Sequence, residues 1–161
     1  MLNIVLVSPQ IPQNTGAIGR LCVNIDATLH VVKPIMFEIS DKSVKKAGLD
    51  YWDKLDIHIW ESLDEFLQIH SKNIDRFFFA TTKTKQLVYE ARFKKNDYIL
   101  FGGESTGLPM DLMKKKWENT ITLPMGENGR SLNLAMSVGA VAYKAIGDIF
   151  EANPSNTFFN K

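Results

Sequence analysis

Cysteine is nearly missing. Cys22 is the only thiol in 161 residues, so an internal disulfide scaffold is excluded and a reducing compartment is expected. Histidine is almost as scarce: His30, His58 and His70 stand far apart in the sequence, with no partner cysteines. Neither a zinc-finger spacing nor an HExxH pattern can be built from them, and no metal site is expected. An excess of charge of one sign is also absent. Nineteen Lys and Arg against eighteen Asp and Glu leave +1, which excludes a histone-like binder and confines any nucleic-acid surface to a local patch. No apolar run approaches the roughly 20 residues of a transmembrane helix. The start, Met1 to Val5, has no basic n-region and no long apolar stretch behind it, so a cytoplasmic address without membrane contact is expected.

What is present is 45% hydrophobic residues, enough for a core, in a chain within the ~100–200 residues usual for one domain. One domain is expected over residues 1–150. The tail 151–161 is polar apart from Phe158 and Phe159 and is expected to fray. Short apolar runs recur at Leu2 to Val7, Leu29 to Val32, Ile57 to Trp60, Arg76 to Ala80, Tyr98 to Phe101 and Thr120 to Leu123. Such runs suit strands covered on both faces. Helical stretches fall near Asn14 to Ile25, Leu63 to His70 and Leu108 to Lys116. The alternation implies an α/β fold, a parallel sheet flanked by helices. From Asn133 to Phe150 a last helix carries the stripe Leu134, Val138, Val141, Ala145 and Ile149. Its first three turns are apolar or small nearly all round, including Met136, Ala140 and Ala142, more than one sheet face can cover. Burial against a second copy is the natural reading, with a helix simply central to the fold as the alternative.

Three loops stand where a strand ends and a helix begins, the edge at which open α/β sheets bind ligands. Phe101 to Pro109 reads FGGESTGLP, which is neither a dinucleotide fingerprint nor a P-loop. A plain turn would explain its glycines. Glu104 among them instead suggests a ligand loop, because a carboxylate there needs solvent, a cation or N–H donors. In PQIPQNTGAIGR, Pro9 to Arg20, Asn14 and Thr15 read as helix caps. Arg20 is either an ordinary solvated residue or a planar fork for phosphate. In LPMGENGRSLN, Leu123 to Asn133, Ser131 or Asn133 can cap the last helix, whose free N–H groups also favour ligand oxygens.

Together NTGAIGR, FGGESTGLP and RSLNLAMSVGAVAYKA resemble the three motifs of the SPOUT RNA methyltransferases. They are most similar to the minimal subgroup that 2′-O-methylates nucleotide 34 of tRNA. MLNIVL, AGLDYWD from Ala47 to Asp53 and FFATTK from Phe78 to Lys83 extend the likeness over residues 1 to 150. The resemblance implies a deep trefoil knot near the C-terminus, a homodimer, and S-adenosylmethionine held in a bent shape. Carried over by position, the cofactor lies against Ala80, Gly102, Leu123 and Ser131, with Gly107, Met125 and Asn133 close by; Glu104 of the ligand loop is counted with the cofactor-binding residues, and Arg20 and Asn14 with the catalytic ones. The expected partner is the tRNA anticodon stem-loop, with cytidine or uridine methylated. Methylation at another RNA position and a non-catalytic RNA- or nucleotide-binding module are the rivals. Gly103 stands where such proteins often have proline, a change expected to alter loop stiffness. Candidate RNA patches are Lys42, Lys45 and Lys46; Lys83 and Lys85; Arg92, Lys94 and Lys95; and Lys114 to Lys116. Tyr51 or Trp52 could stack on a base or lie in the core.

Overall fold

The apolar runs become six strands: β1 Asn3–Val7, β2 Thr28–Val32, β3 Ile57–Trp60, β4 Phe77–Ala80, β5 Tyr98–Gly102 and β6 Thr120–Ile121. The computed structural model describes residues 1–37 and 51–153. Lys42, Lys45, Lys46, the Ala47 to Asp50 part of AGLDYWD, and Phe158 and Phe159 of the tail lie outside the described residues. The strands form one sheet in the order β3-β2-β1-β5-β4-β6, and every neighbouring pair is parallel. Parallel strands need crossover connections, and these place helices on both faces.

Alternation along each strand divides the core. Ile4 and Leu6 face the cluster that includes Ile18 and Cys22 of α1 (Pro12–Asn24) and Val138, Ala142 and Ala145 of α4 (Leu134–Ala152). Val5 and Val7 face the other side, with Phe66 of α2 (Leu63–His70) and Leu112 and Met113 of α3 (Met110–Lys114). The run Phe77-Phe78-Phe79 serves both layers. Phe78 packs on Phe93 at 4.5 Å between ring centroids, while Phe77 and Phe79 are fully buried in the opposite layer.

Several boundaries differ from the sequence reading. α1 starts at Pro12, with Pro at its first position and Ile11 as an N-cap that offers no side-chain bond. Asn14 and Thr15 therefore do not cap it; both are buried in its first turn. The reason is that Pro12 is well suited to the first helical position, where its missing N–H is no loss. α3 stops at Lys114, and a separate short turn, Trp117–Asn119, precedes β6. On α4 the N-cap is Asn133, whose Oδ1 accepts from the backbone N–H groups of Ala135 at 2.9 Å and Met136 at 3.3 Å.

The three histidines, remote in sequence, meet in space. His30 and His58 are register partners across β2 and β3, with ring centroids 5.4 Å apart, and His70 of α2 lies 5.5 Å from His30. Among the described residues, no group of three or more His, Cys, Asp or Glu could hold a metal ion. The trio packs instead as an aromatic cluster. His30 Nδ1 accepts from Trp60 Nε1 at 3.2 Å, which leaves its Nε2 as the donor toward Asn3 Oδ1 at 3.2 Å.

Candidate active site

β1 and β5 lie side by side, yet the chain leaves them toward opposite halves of the sheet. Their carboxyl ends thus flank the crevice where an α/β sheet opens a ligand site. The register pairs Val7 with Gly102. At that edge the backbones come very close: a Cβ on Gly103 would overlap the Ser8 carbonyl oxygen. The glycine found there thus meets a steric need, beyond any effect on loop stiffness. A Cβ on Gly102 would overlap the backbone of Gly107 and Leu108, and Gly107 itself has φ +65, where a side chain is strained. The turn is closed by the Gly107 N–H donating to Gly103 O at 2.8 Å.

A cavity of about 590 Å³ opens beside this turn, a size within the range of small-molecule sites. Its wall holds Ala80, Gly102, Glu104, Gly107, Leu123, Met125, Ser131 and Asn133, and Asn14 joins them. The structure therefore brings together every cofactor position expected from the sequence. Arg20 is not among the lining residues. It is exposed on α1, with its guanidinium carbon 5.1 Å from the centre of the Tyr51 ring, a cation–π contact that holds the fork over an aromatic face. Tyr51 thus offers Arg20 a platform, and Trp52 lies against Gly19 of the same helix.

Sequence reasoning did not assign Thr81 and Thr82 to the wall, which they share with Lys83. Position was the available signal, because they follow the carboxyl end of β4 just as the three motif loops follow their strands. Among the described residues, Lys83 is the one basic side chain in that wall. Lys116, from the Lys114 to Lys116 patch, is paired with Asp75 and Glu118.

The polar groups of the wall are already organised. Glu104 accepts the backbone N–H of Gln10 at 2.7 Å, that of Ile11 at 3.2 Å and the side-chain amide of Asn14 at 2.9 Å. Asn14 in turn accepts from Asn133 Nδ2 at 2.9 Å. Gln10 Oε1 accepts from the Ser105 backbone N–H and hydroxyl, each at 2.8 Å. The rest of the wall is apolar side chains, Ala80, Phe101, Ile121, Leu123, Leu134 and Val141, with the hydroxyls of Thr82 and Ser131, while Thr81 Oγ1 accepts from Lys83 N and Ser137 Oγ donates to Asn133 O. That donor set suits a nucleoside: an apolar slot for a purine, and hydroxyl and main-chain groups for its ring nitrogens and ribose.

Known proteins resemble this chain in sequence and fold. A relative from Aeromonas hydrophila, named tRNA (cytidine(34)-2′-O)-methyltransferase, is 40% identical over 146 residues, covering 90% of this chain and 92% of its own length. One of the same name from Burkholderia ambifaria is 36% identical over 146 residues, covering 90% and 94%. A solved structure described as giving structural insights into the 2-OH methylation of C/U34 on tRNA superimposes with a TM-score of 0.87 at 39% identity, covering 92% of this chain and 95% of that one. The SpoU methyltransferase AviRb from Streptomyces viridochromogenes has the same fold at 20% identity, with a TM-score of 0.83 over 94% of this chain and 61% of its own. Residues 1–143 match the SpoU rRNA Methylase family, and the chain belongs to that family.

Proposed function

We propose that this chain is a tRNA 2′-O-methyltransferase that modifies the ribose of nucleotide 34, cytidine or uridine, using S-adenosylmethionine and acting as a homodimer in the cytoplasm. The observation that carries the reading is the convergence of all three motif loops on one nucleoside-sized cavity at the sheet's carboxyl edge. Relatives at 36% and 40% identity over nine-tenths of the chain, both named for this activity, support it.

When bound, S-adenosylmethionine supplies a methyl group made electrophilic by its sulfonium. The chain's own part is placement. Ala80, Leu123 and Leu134 offer the purine an apolar slot, and Ser131 and the backbone near Gly102 and Gly107 offer it polar partners. Holding the ribose hydroxyl in line with the methyl and excluding water can account for most of the acceleration. Arg20 supplies a planar cation that can hold the phosphate beside the reacting ribose and favour the alkoxide as the proton leaves.

Arg20 and Asn14 are separated by about 9 Å along the α1 axis and by roughly one-third of a turn around it. That offset, with Arg20 absent from the cavity wall, is compatible with a site that a second copy completes. α4 offers a matching surface: Met136 is 65% and Tyr143 56% exposed, with exposed Ala140 between them. Residues 1–150 act as the single catalytic domain in this reading. Its knot rests on the likeness to SPOUT methyltransferases, and the segments after β4 and β6 lie side by side. Thr81 N donates to Ile121 O, Thr122 N to Gln86 O and Val88 N to Thr122 O, each at 2.9 Å.

The test is incubation of the purified protein with unmodified tRNA and methyl-labelled S-adenosylmethionine, followed by nucleoside analysis. Label at the 2′-oxygen of nucleotide 34 is expected. Label at another position, or cofactor binding without transfer, overturns the reading. Arg20→Ala should slow single-turnover transfer strongly while cofactor affinity stays near normal. Recovery of the rate at saturating tRNA would reduce Arg20 to an RNA-binding residue.

A further inference from the structure

We propose that Glu104 and Asn14 are positioning residues: they fasten the start of α1, and with it Arg20, to the loop that lines the cofactor cavity. The inference rests on the methyl-transfer reading above. α1 has no cap of its own, since Ile11 stands at the N-cap and makes no side-chain bond. The segment leading into it is held instead from the loop of the neighbouring strand. Glu104, on the loop after β5, takes the Gln10 and Ile11 N–H groups at 2.7 and 3.2 Å and the Asn14 amide at 2.9 Å. From Asn14 the chain of bonds passes to Asn133, and from there to the first N–H groups of α4.

The direction of every bond in this chain is fixed by chemistry. An ionised carboxylate only accepts, so the Asn14 nitrogen must face Glu104 and its oxygen must face Asn133. The Asn133 oxygen faces the α4 N–H donors, which leaves its nitrogen for Asn14. One uninterrupted series thus ties the cavity loop, α1 and α4, with Asn14 only 7% exposed. The cavity loop keeps bonds of its own without Glu104, from Gly107 N to Gly103 O and from Ser105 to Gln10 Oε1. Breaking the tie should leave that turn standing and loosen the start of α1, whose later turns stay packed through Ile18 and Cys22. Cofactor affinity and transfer rate are therefore separable, which they would not be if Glu104 chiefly held the cofactor.

The test is a polarity exchange. Glu104→Gln keeps the shape, removes an acceptor oxygen and turns an NH₂ toward N–H donors. Asn14→Asp sets two carboxylates against each other. In the double variant, Glu104→Gln with Asn14→Asp, the amide introduced at position 104 can donate to the carboxylate introduced at position 14. The amide oxygen can accept from Gln10 or Ile11, and the second carboxylate oxygen still accepts from Asn133. Single-turnover transfer at saturating tRNA and cofactor should fall about tenfold or more in each single variant and return to within about threefold of wild type in the double. Cofactor affinity by calorimetry should stay within about threefold throughout. Amide hydrogen exchange over residues 10–16 should speed up in the single variants and slow again in the double.

An unchanged rate in Glu104→Gln overturns the proposal. So does a loss of cofactor affinity as large as the loss of rate, which makes Glu104 a cofactor contact. A double variant no better than the singles, or one that fails to fold, also overturns it. The exchange measurement needs no turnover, so a wild-type protein that transfers no methyl sinks the methyltransferase reading while the tie is still judged on its own.

Discussion

Acid should destabilise this fold through His30 in particular. The residue is 4% exposed, and burial, then repulsion from His70 and His58, lowers its pKa from 6.5 to about 4 against a weaker opposing pull from Asp56. A histidine whose folded pKa is depressed contributes stability that is fully present above the unfolded value. That contribution is lost as pH falls from 6.5 toward 4, because the unfolded chain binds the proton first. The full difference is roughly 3 kcal/mol, of which about 2 kcal/mol is lost by about pH 5. His70 is lowered too, by burial and by His58, and adds in the same direction. Asp97, raised by burial, acts the other way as carboxylates begin to protonate. Urea unfolding of wild type and His30→Gln at about pH 7.5 and pH 5 isolates the His30 part. The variant keeps a donor and an acceptor for Asn3 and Trp60 but cannot titrate. Its stability should fall by about 2 kcal/mol less than that of wild type over this interval. Equal losses in the two proteins would refute the reasoning.

Other perturbations separate the cavity from the surface. Gly102→Val should do more than abolish cofactor binding. Since any Cβ there overlaps the Gly107 and Leu108 backbone, the melting temperature should drop, and a protein of unchanged stability would contradict the close approach. Ala140→Glu should shift sedimentation from about twice 18.2 kDa toward the monomer without unfolding the chain. Val141→Glu should instead unfold it, because Val141 is 2% exposed within a single chain and an unpaired buried charge costs several kcal/mol.

The strands were legible because parallel strands buried on both faces leave continuous apolar runs, and Leu2 to Val7 needs no wider context to be read. The start of α1 was not legible in the same way. Asn14 and Thr15 have the chemistry of caps, while the group that holds the segment entering the helix, Glu104, lies on another loop and leaves no local mark on residues 10–14. The histidines show the same limit. Their spacing suggests isolation, but once β2 pairs with β3 the register sets His30 beside His58, and α2 brings up His70. The steric need for glycine at 102 and 103 is likewise a matter of which backbones meet. Strand sequence alone cannot supply it. A knot is the extreme case, since rules of connection reject threading before any residue is considered. Only the family resemblance raised it.

α4 does two things at once, and their coupling can be measured. Leu134, Ser137 and Val141 line the cavity, while Met136, Ala140 and Tyr143 face outward, so one rigid helix carries part of the cofactor wall on one side and the proposed dimer surface on another. Its first turn is fastened through Asn133 and Asn14 to Glu104 on the cavity loop. On the proposed function, a ligand that tightens the wall should tighten the outward stripe with it, so that cofactor binding and pairing of two copies are coupled. By linkage, whatever factor the cofactor adds to dimer affinity, the dimer must add to cofactor affinity. Sedimentation of the wild-type protein with and without saturating S-adenosylmethionine, set beside calorimetry on dimeric wild type and monomeric Ala140→Glu, gives the two factors independently. They should agree and exceed one. A cofactor affinity identical in monomer and dimer would mean that the helix transmits nothing between its two faces.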